Sequence, residues 1–351
     1  MVNFITGLDI GTAQIKGLIV ERKKDGIFSV LSAFREPSFG LRRGIMADRE
    51  DAFTGLNQLA AEMRLISKDA LKNVFVNIQS EHIKVRISRG IAAVSQPDKE
   101  IREEDMERAI QASRATRMLP NYKMLHTIVR EFLVDEIGDI QNPIGMTGSR
   151  LEVSTLIVES FAPHFDALTN VLSQAGIQVA SVIFGPLASA RAVLSKKQKE
   201  LGVLMIDFGG GTTSIAVFDE AKPLYAKTFP VGSNHITNDI AIGMKLPIEA
   251  AEKIKIQNGT ASARSVNRKE MITLSESPDS GEVSKRLLAE TIEPRVAEIL
   301  EIVHNELKPL KNRFQFPAGV VVTGAGVRLR GITEAVKEHL KLSVQVGNHI
   351  Y

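Results

Sequence analysis

An aspartate followed by glycine and threonine, set between two apolar runs, occurs twice in this chain, and those residue types are suited to hold a polyphosphate. The first copy reads Gly7-Leu-Asp9-Ile-Gly11-Thr12-Ala-Gln-Ile-Lys16 within Phe4 to Val20. The second reads Asp207-Phe-Gly209-Gly210-Gly211-Thr212-Thr213 within Val203 to Phe218. Glycine lacks a Cβ, so its backbone can approach an anion and turn several N–H groups toward it, while threonine hydroxyls add donors. Asp9 and Asp207 would repel phosphate directly, which suits them to hold Mg²⁺, through water, beside it. For either stretch in isolation the simpler reading is a glycine-rich turn that only reverses the chain.

The pair is more informative than either member. Setting Asp9 over Asp207 aligns Ile10 with Phe208, Gly11 with Gly209, and Ile15 with Ser214 or Ile215 after a small offset. Such internal similarity points to a duplicated unit. Two strand-turn-strand units facing one another would grip a polyphosphate and its metal from opposite sides.

Elements that could position these turns follow along the chain. A strand is expected over Ile27 to Phe34, then a basic loop from Ser38 to Ile45 containing Arg42 and Arg43. Helical spacing of Phe53, Leu56, Leu59, Ala60 and Met63 predicts an amphipathic helix from Asp48 to Ile66. Strands over Val74 to Gln79 and His82 to Ile87 lead into a helix from Lys99 to Met118. There Glu104 is placed to pair with Arg108 and the run Glu103-Glu104-Asp105 reads as a solvated helix start. Strands over His126 to Val134 and Leu151 to Glu159 make 83–163 a compact insertion. His82 has no second ligand at metal-binding spacing and reads as a surface or satisfied residue. A helix from Pro163 ends at Gly176, a strand spans Val179 to Phe184, and Gly185-Pro186 opens a small-residue helix.

Beyond the second hairpin a strand is expected over Pro223 to Pro230. A helix over Asn234 to Met244 follows, whose first amides could also face phosphate. The next helix, Ile248 to Gln257, puts Glu252 and Lys255 on one face, where a solvated pair is the plain reading. The polar stretch 258–284 reads as a small strand-and-loop lobe. A long helix carries Leu288, Ile292, Val296, Ile299, Val303 and Leu307, with Pro294 expected to bend or split it. A buried strand then runs into Gly324-Ala325-Gly326, a turn small enough for a base or ribose to lie against. It is no dinucleotide fingerprint, because Leu329 stands where a third glycine would fall. A helix over Ile332 to Leu340 and a strand over Leu342 to Val346 close the series.

Composition narrows the function classes. With 351 residues the chain is long enough for two or more domains, and 44% hydrophobic with 24% charged residues is ordinary for a globular protein. A formal charge of +3 without a lysine or arginine block gives no reason to expect nucleic acid as a partner. Zero cysteines exclude disulfides, thiolate metal sites and thiol nucleophiles. The N-terminus has no basic flank followed by an apolar core, and no apolar run approaches the roughly 20 residues of a spanning helix, so a cytoplasmic location is expected.

No Gly-x-x-x-x-Gly-Lys-Ser/Thr loop is present, which excludes a Walker-type site. The ordered set of Asp9-Ile-Gly-Thr, the Pro186 small-residue helix, Asp207-Phe-Gly-Gly-Gly-Thr-Thr, Glu252-x-x-Lys255 and Thr323-Gly-Ala-Gly resembles the five-part nucleotide site of the actin, Hsp70 and sugar-kinase superfamily. Within it the chain resembles the FtsA family of bacterial cell-division proteins. The resemblance rests on Gly7-Leu-Asp-Ile-Gly-Thr-Ala, Asn142-Pro-Ile-Gly-Met-Thr-Gly-Ser-Arg150-Leu, Pro186-Leu-Ala-Ser, Glu200-Leu-Gly-Val, Ser233-Asn-His-Ile-Thr-Asn-Asp-Ile-Ala241 and Ile292-Glu-Pro-Arg-Val-Ala-Glu-Ile-Leu300, and it covers nearly the whole chain.

The resemblance implies an α/β, actin-like ATPase fold of two duplicated domains around a nucleotide cleft, with an FtsA-type inserted subdomain IC. Its parts would be IA over 1–82 and 164–198, IC over 83–163, IIA over 199–230 and 308–351, and IIB over 231–307. It further implies ATP with Mg²⁺, held by Asp9, Gly11, Thr12 and Lys16 from one side and by Asp207 and Gly209 to Thr213 from the other. Glu252, Lys255, Gly324, Ala325 and Gly326 would meet the adenosine. Members of the family polymerise, bind the C-terminal tail of FtsZ and tether it at the inner membrane surface of the division site. Arg286 and Arg295 are candidates for that tail, with surface salt bridges as the competing account.

Two departures from the pattern matter. Many superfamily ATPases carry a glutamate just before the connecting-helix proline, and here that residue is Gly185, which cannot serve as a base. Slow or absent hydrolysis is therefore expected. The resemblance also implies a further helix and an amphipathic membrane anchor past the last strand, and the sequence stops at Tyr351 without them. A PilM-type pilus-assembly adaptor and an actin-fold small-molecule kinase are the alternatives. The kinase reading lacks an acidic base over a substrate pocket.

Overall fold

The computed structural model describes residues 3–115, 118–267, 269–273, 282–311 and 315–348. Strands β1 (Asn3–Ile10), β2 (Gln14–Arg22) and β3 (Phe28–Pro37) form an antiparallel meander, followed by a small ribbon of β4 (Leu41–Arg42) and β5 (Ile45–Met46). Helix α1 (Arg49–Ile66) starts where the Asp48 carboxylate accepts the N–H groups of Glu50 and Asp51, and buries Ala52, Leu56, Leu59, Ala60 and Met63 along one stripe. Strand β6 (Val74–Ile78) returns parallel to β1.

The insertion then contributes β7 (Lys84–Ala93), α2 (Glu103–Arg114), β8 (Tyr122–Val134), β9 (Ile137–Ile140) and β10 (Arg150–Phe161). Its sheet, ordered β7-β10-β8-β9, packs Ala92, Leu151, Val153, Phe132 and Val134 into a core with Ala109 of α2. Helix α3 (Ala162–Gln174), strand β11 (Val179–Phe184), helix α4 (Gly185–Val193) and helix α5 (Lys196–Leu201) lead to the second meander, β12 (Val203–Phe208), β13 (Thr213–Asp219) and β14 (Lys222–Phe229). Helices α6 (Ser233–Met244) and α7 (Ile248–Asn258), the pair β15 (Met271–Thr273) and β16 (Glu282–Ser284), helix α8 (Lys285–Lys311), strand β17 (Val320–Thr323), helix α9 (Ile332–Leu340) and strand β18 (Val344–Val346) complete the described elements.

The two large sheets have one topology. The first is ordered β3-β2-β1-β6-β11 and the second β14-β13-β12-β17-β18. In each the meander is antiparallel and the two later strands run parallel to the first. The duplication suggested by Asp9 and Asp207 thus extends to the whole sheet. Ladder register corrects one detail: Ile10 faces Ile15 and Phe208 faces Thr213, so the counterpart of Ile15 is Thr213 rather than Ser214 or Ile215.

Strand β12 is apolar on both faces because both are covered. Val203 and Met205 join the core that holds Ile15, Phe184 and Ala190, whereas Leu204 and Ile206 join Ile240, Ile292, Val296 and Val336 beneath α6, α8 and α9.

Three local expectations are corrected. Helix α2 begins at Glu103, because Lys99 takes a positive φ of 55° and Glu100 bridges to Thr147. Asp105 is buried rather than solvated. Its carboxylate accepts the Arg102 N–H at 2.9 Å and draws in Arg108, which therefore pairs with Asp105 and not Glu104. Helix α8 runs unbroken through Pro294, since the buried stripe of Leu288, Ile292, Val296, Ile299, Val303 and Leu307 outweighs one missing backbone bond. Part of the lobe expected at 258–284, residues 268 and 274–281, lies outside the described residues.

Candidate functional site

The first hairpin aims Asp9 by two neighbours. Asn77, at the end of β6, donates to Asp9 Oδ1 at 2.7 Å while its own Oδ1 accepts the Ile10 N–H at 2.7 Å. Lys16, the cross-strand partner of Asp9, pairs with Oδ2 at 3.2 Å. The turn between them is tight: Gly11 donates to the Gln14 carbonyl at 3.1 Å, and a Cβ on Gly11 would lie 2.9 Å from that oxygen.

In the second hairpin, Asp207 Oδ2 accepts the Ser189 hydroxyl of α4 at 2.8 Å. Burial pushes the Asp207 carboxyl up from its ordinary range, the Ser189 bond opposes this, and Asp9 raises it further while Lys16 lowers it. Asp207 therefore feels the charge of Asp9 across the two hairpins. Gly209 closes the turn with a 2.9 Å bond to the Thr212 carbonyl.

The two turns touch. A Cβ on Gly211 would lie 2.6 Å from Thr12 Oγ1, and one on Gly210 would lie 2.9 Å from the Ala13 Cβ. Only glycine lets these loops meet. The Thr213 hydroxyl is buried without a partner, and by register its side chain shares the face of Phe208, opposite Asp207. The hydroxyl that shares the Asp207 face is that of Ser214, bonded to Thr228 at 2.9 Å and to Gln79 at 2.6 Å.

Helix α6 starts against this loop. The N–H groups of Ser233 and Asn234 donate to the carbonyls of Gly209 and Gly210 at 2.9 and 2.8 Å. This corrects the expectation that those first amides face phosphate, since they already hold the loop. Lys255 is also corrected from solvated to buried. It reaches Ser233 O at 3.1 Å, Thr237 Oγ1 at 2.7 Å and Glu252 at 2.7 Å, so the Glu252–Lys255 pair fastens α7 to the start of α6. Gly324, with φ of 89°, leaves only 2.4 Å from a notional Cβ to Asp207 Oδ1, and Gly326 packs against Phe208. Ala325 opens the short turn that follows.

The structure thus brings together Asp9, Gly11, Thr12, Lys16, Asp207, Gly209 to Thr212 and Gly324, with Glu252 and Lys255 linked through Ser233. Arg286 and Arg295 lie elsewhere, on α8. Arg286 pairs with Glu290 at 2.9 Å, while Arg295 forks onto Asp239 at 2.7 and 3.0 Å and also meets Glu298. Sequence reading missed Asn77, Gln79, Ser189 and Ser214. Asn77, Gln79 and Ser214 share one signal, a polar residue at the end of an apolar strand, whereas Ser189 lies on α4 within the run Pro186-Leu-Ala-Ser. Among the described residues no three His, Asp or Glu side chains converge as a metal site.

Comparison with known proteins identifies the lineage. The family model described as "Cell division protein FtsA" matches residues 204–350, and the one described as "SHS2 domain inserted in FTSA" matches 80–159. The Cell division protein FtsA of Pseudomonas aeruginosa is 32% identical over 345 residues, covering 98% of this chain and 82% of that relative. The chain belongs to the FtsA family. The FtsA proteins of Borreliella burgdorferi, at 34% identity with 98% and 84% coverage, and of Escherichia coli, at 28% with 98% and 83%, agree.

Solved structures similar in fold include a PilM-PilN type IV pilus biogenesis complex, with a TM-score of 0.68, 17% identity, and 98% of this chain and 88% of that one covered. MreB5 of Spiroplasma citri bound to ADP gives a TM-score of 0.57, 16% identity, and 99% and 92% coverage. The fold of this FtsA-family chain is accordingly actin-like, with an SHS2 domain inserted. Among the described residues no helix is long and apolar enough to cross a membrane.

Proposed function

We propose that this FtsA-family chain binds ATP with Mg²⁺ between its two hairpins, polymerises, binds the C-terminal tail of FtsZ and helps tether FtsZ filaments to the membrane at the division site. The observation that carries the nucleotide part is the contact of Gly211 with Thr12, which makes two glycine turns from two equivalent sheets into one surface. The residues fit a divalent cation: burial and then the charge of Asp9 raise the proton affinity of Asp207, and a Mg²⁺ ion near both carboxylates would offset this. Bound Mg²⁺ would offset the phosphate charge. Asp9 and Asp207 would orient its water shell, the backbone amides of Gly210 and Gly211 and the Thr12 hydroxyl would contact phosphate, since those of Gly11 and Gly209 close their own turns, and the Gly324 to Gly326 turn would lie against the adenosine.

On this reading the parts are IA (1–82 and 164–198), IC (83–163), IIA (199–230 and 308–351) and IIB (231–307). Hydrolysis is slow, because Gly185 offers no base at the start of α4 and the Gln79 amide lies beside it, 3.1 Å from where its Cβ would be. The nucleotide then acts chiefly as a ligand holding the two sheets together. Arg286 is the better of the two tail candidates, as Arg295 is engaged by two carboxylates.

Equilibrium binding of ATP with and without Mg²⁺, and co-sedimentation with an FtsZ C-terminal peptide, test the two halves separately. Binding of ATP without the peptide would favour the PilM-like reading, which the fold likeness alone supports. Failure to bind ATP would remove the nucleotide part. Phosphate release in a single turnover at the rate of an ordinary ATPase would overturn the slow-hydrolysis claim.

A further inference from the structure

The basic loop of the sequence folds into the β4–β5 hairpin, with Leu41 paired to Met46 and Arg42 to Ile45, leaving Arg43-Gly44 as a two-residue turn. Both turn residues have positive φ, 51° and 75°, as a tight primed turn demands. Glycine, asparagine or aspartate is the usual occupant of the first of these positions, and arginine with its Cβ is strained there. The base of the hairpin is fixed to the start of α1, since Gly40 O accepts the N–H groups of Ala47 and Asp48 at 2.8 and 2.9 Å.

The tip reaches both glycine turns. Gly44 donates its N–H to Thr12 Oγ1 at 3.1 Å, and a Cβ on Gly44 would lie 1.9 Å from the Gln79 carbonyl and 3.2 Å from Thr212 Cγ2. Because Thr12 accepts this bond, its own hydroxyl proton stays available to a ligand. Arg43 is also near enough to the first turn of α6 for its charge to act on His235. Charge at the site is otherwise closed: Lys16 is taken by Asp9 and Lys255 by Glu252, whereas exposed Arg42 and Arg43 have no ion pair among the described residues. A magnesium-bound triphosphate remains anionic, and Arg43 is the unpaired cation next to Gly44, whose backbone sits where the two turns meet.

We propose that the β4–β5 tip is a third wall of the cleft and that Arg43 contacts the phosphates of the bound nucleotide, an inference that rests on the ATP reading above. Arg43→Gly is the decisive variant, because glycine suits the positive φ and so removes the cation without endangering the fold. In titrations of the full chain with ATP and Mg²⁺, Arg43→Gly is expected to weaken ATP binding about tenfold or more, as loss of a charge-assisted contact does. Arg43→Lys should retain most of the affinity, and the melting temperature of Arg43→Gly without nucleotide should be equal to or above that of the wild type. Competition by adenosine, which has no phosphate, should be unchanged. Wild-type ATP affinity in Arg43→Gly would overturn the inference and leave the ATP reading intact. Absence of ATP binding by the wild type would overturn both.

Discussion

The Gln79 side-chain amide donates to the Ser214 hydroxyl at 2.6 Å, tying the end of β6 in the first sheet to β13 in the second. Ser214 passes the contact on to Thr228 at 2.9 Å, so a short hydrogen-bonded chain spans the two halves beside the paired hairpins. Gln79→Ala is expected to cost about 1 kcal/mol, the net worth of one such bond. It should also weaken the coupling between halves, visible as faster amide exchange in β13. Unchanged exchange there would show that the bond is not a tie.

Asp207 makes the site electrostatically tense. Its carboxyl is pushed up chiefly by burial, so its ionised form is penalised in the folded state. For a raised carboxyl the stabilising contribution is full below the unfolded value and is lost as pH rises through the folded one. Asp207→Asn, which can still accept the Ser189 bond, should therefore raise the melting temperature of the nucleotide-free protein at neutral pH. The same variant should lose Mg²⁺-dependent ATP binding. Thermal melts and a Mg²⁺ titration check the two effects together.

His126 couples the insertion to the cleft. Its Nε2 accepts the backbone N–H of Phe184 at 3.0 Å, immediately before Gly185, and burial holds its pKa below the ordinary value of 6.5. Protonation would turn that acceptor into a donor. A lowered histidine contributes stability that is full above the unfolded pKa and is lost as pH falls from there through the folded one. His164 and His235, also lowered by burial, act with the same sign. Stability should thus decline below about pH 6.5, and less steeply in His126→Phe. That variant leaves the Phe184 N–H unpaired and should cost about 1–3 kcal/mol at pH 8.

Lys222 links the insertion to the second sheet. Buried to 6% exposure, it pairs with Glu131 at 3.0 Å and Asp139 at 2.9 Å from the insertion and with Glu220 at 3.1 Å from the turn before its own strand. Burial opposes its charge, but the three carboxylates outweigh this and push its pKa up. Lys222→Ala should destabilise by about 2 kcal/mol, less than a fully buried pair would, because Asp139 and Glu220 remain hydrated. Chemical denaturation measures the loss. A value within a few tenths of wild type would mean that Arg130, which bonds Pro223 O at 3.0 Å, holds the junction alone.

Much of this molecule was legible along the chain because it depends on short-range periodicity. Asp9 and Asp207 announced the duplication, the spacing of Leu56, Leu59, Ala60 and Met63 announced α1, and glycines that no other residue could replace marked the turns. Even the break expected at Pro294 was a local reading, since propensity could not weigh one missing bond against a buried stripe. The sequence by itself determined the two hairpins and the family the chain belongs to. Only the tertiary structure decided that Gly211 lies on Thr12, that Lys255 is buried against α6, that Gln79 and His126 bridge separate elements, and that Gly44, beside Arg43, stands at the meeting of the turns. Those contacts join residues tens to more than a hundred positions apart. Their existence depends on how two sheets and an insertion pack, and no pattern within one segment encodes that packing.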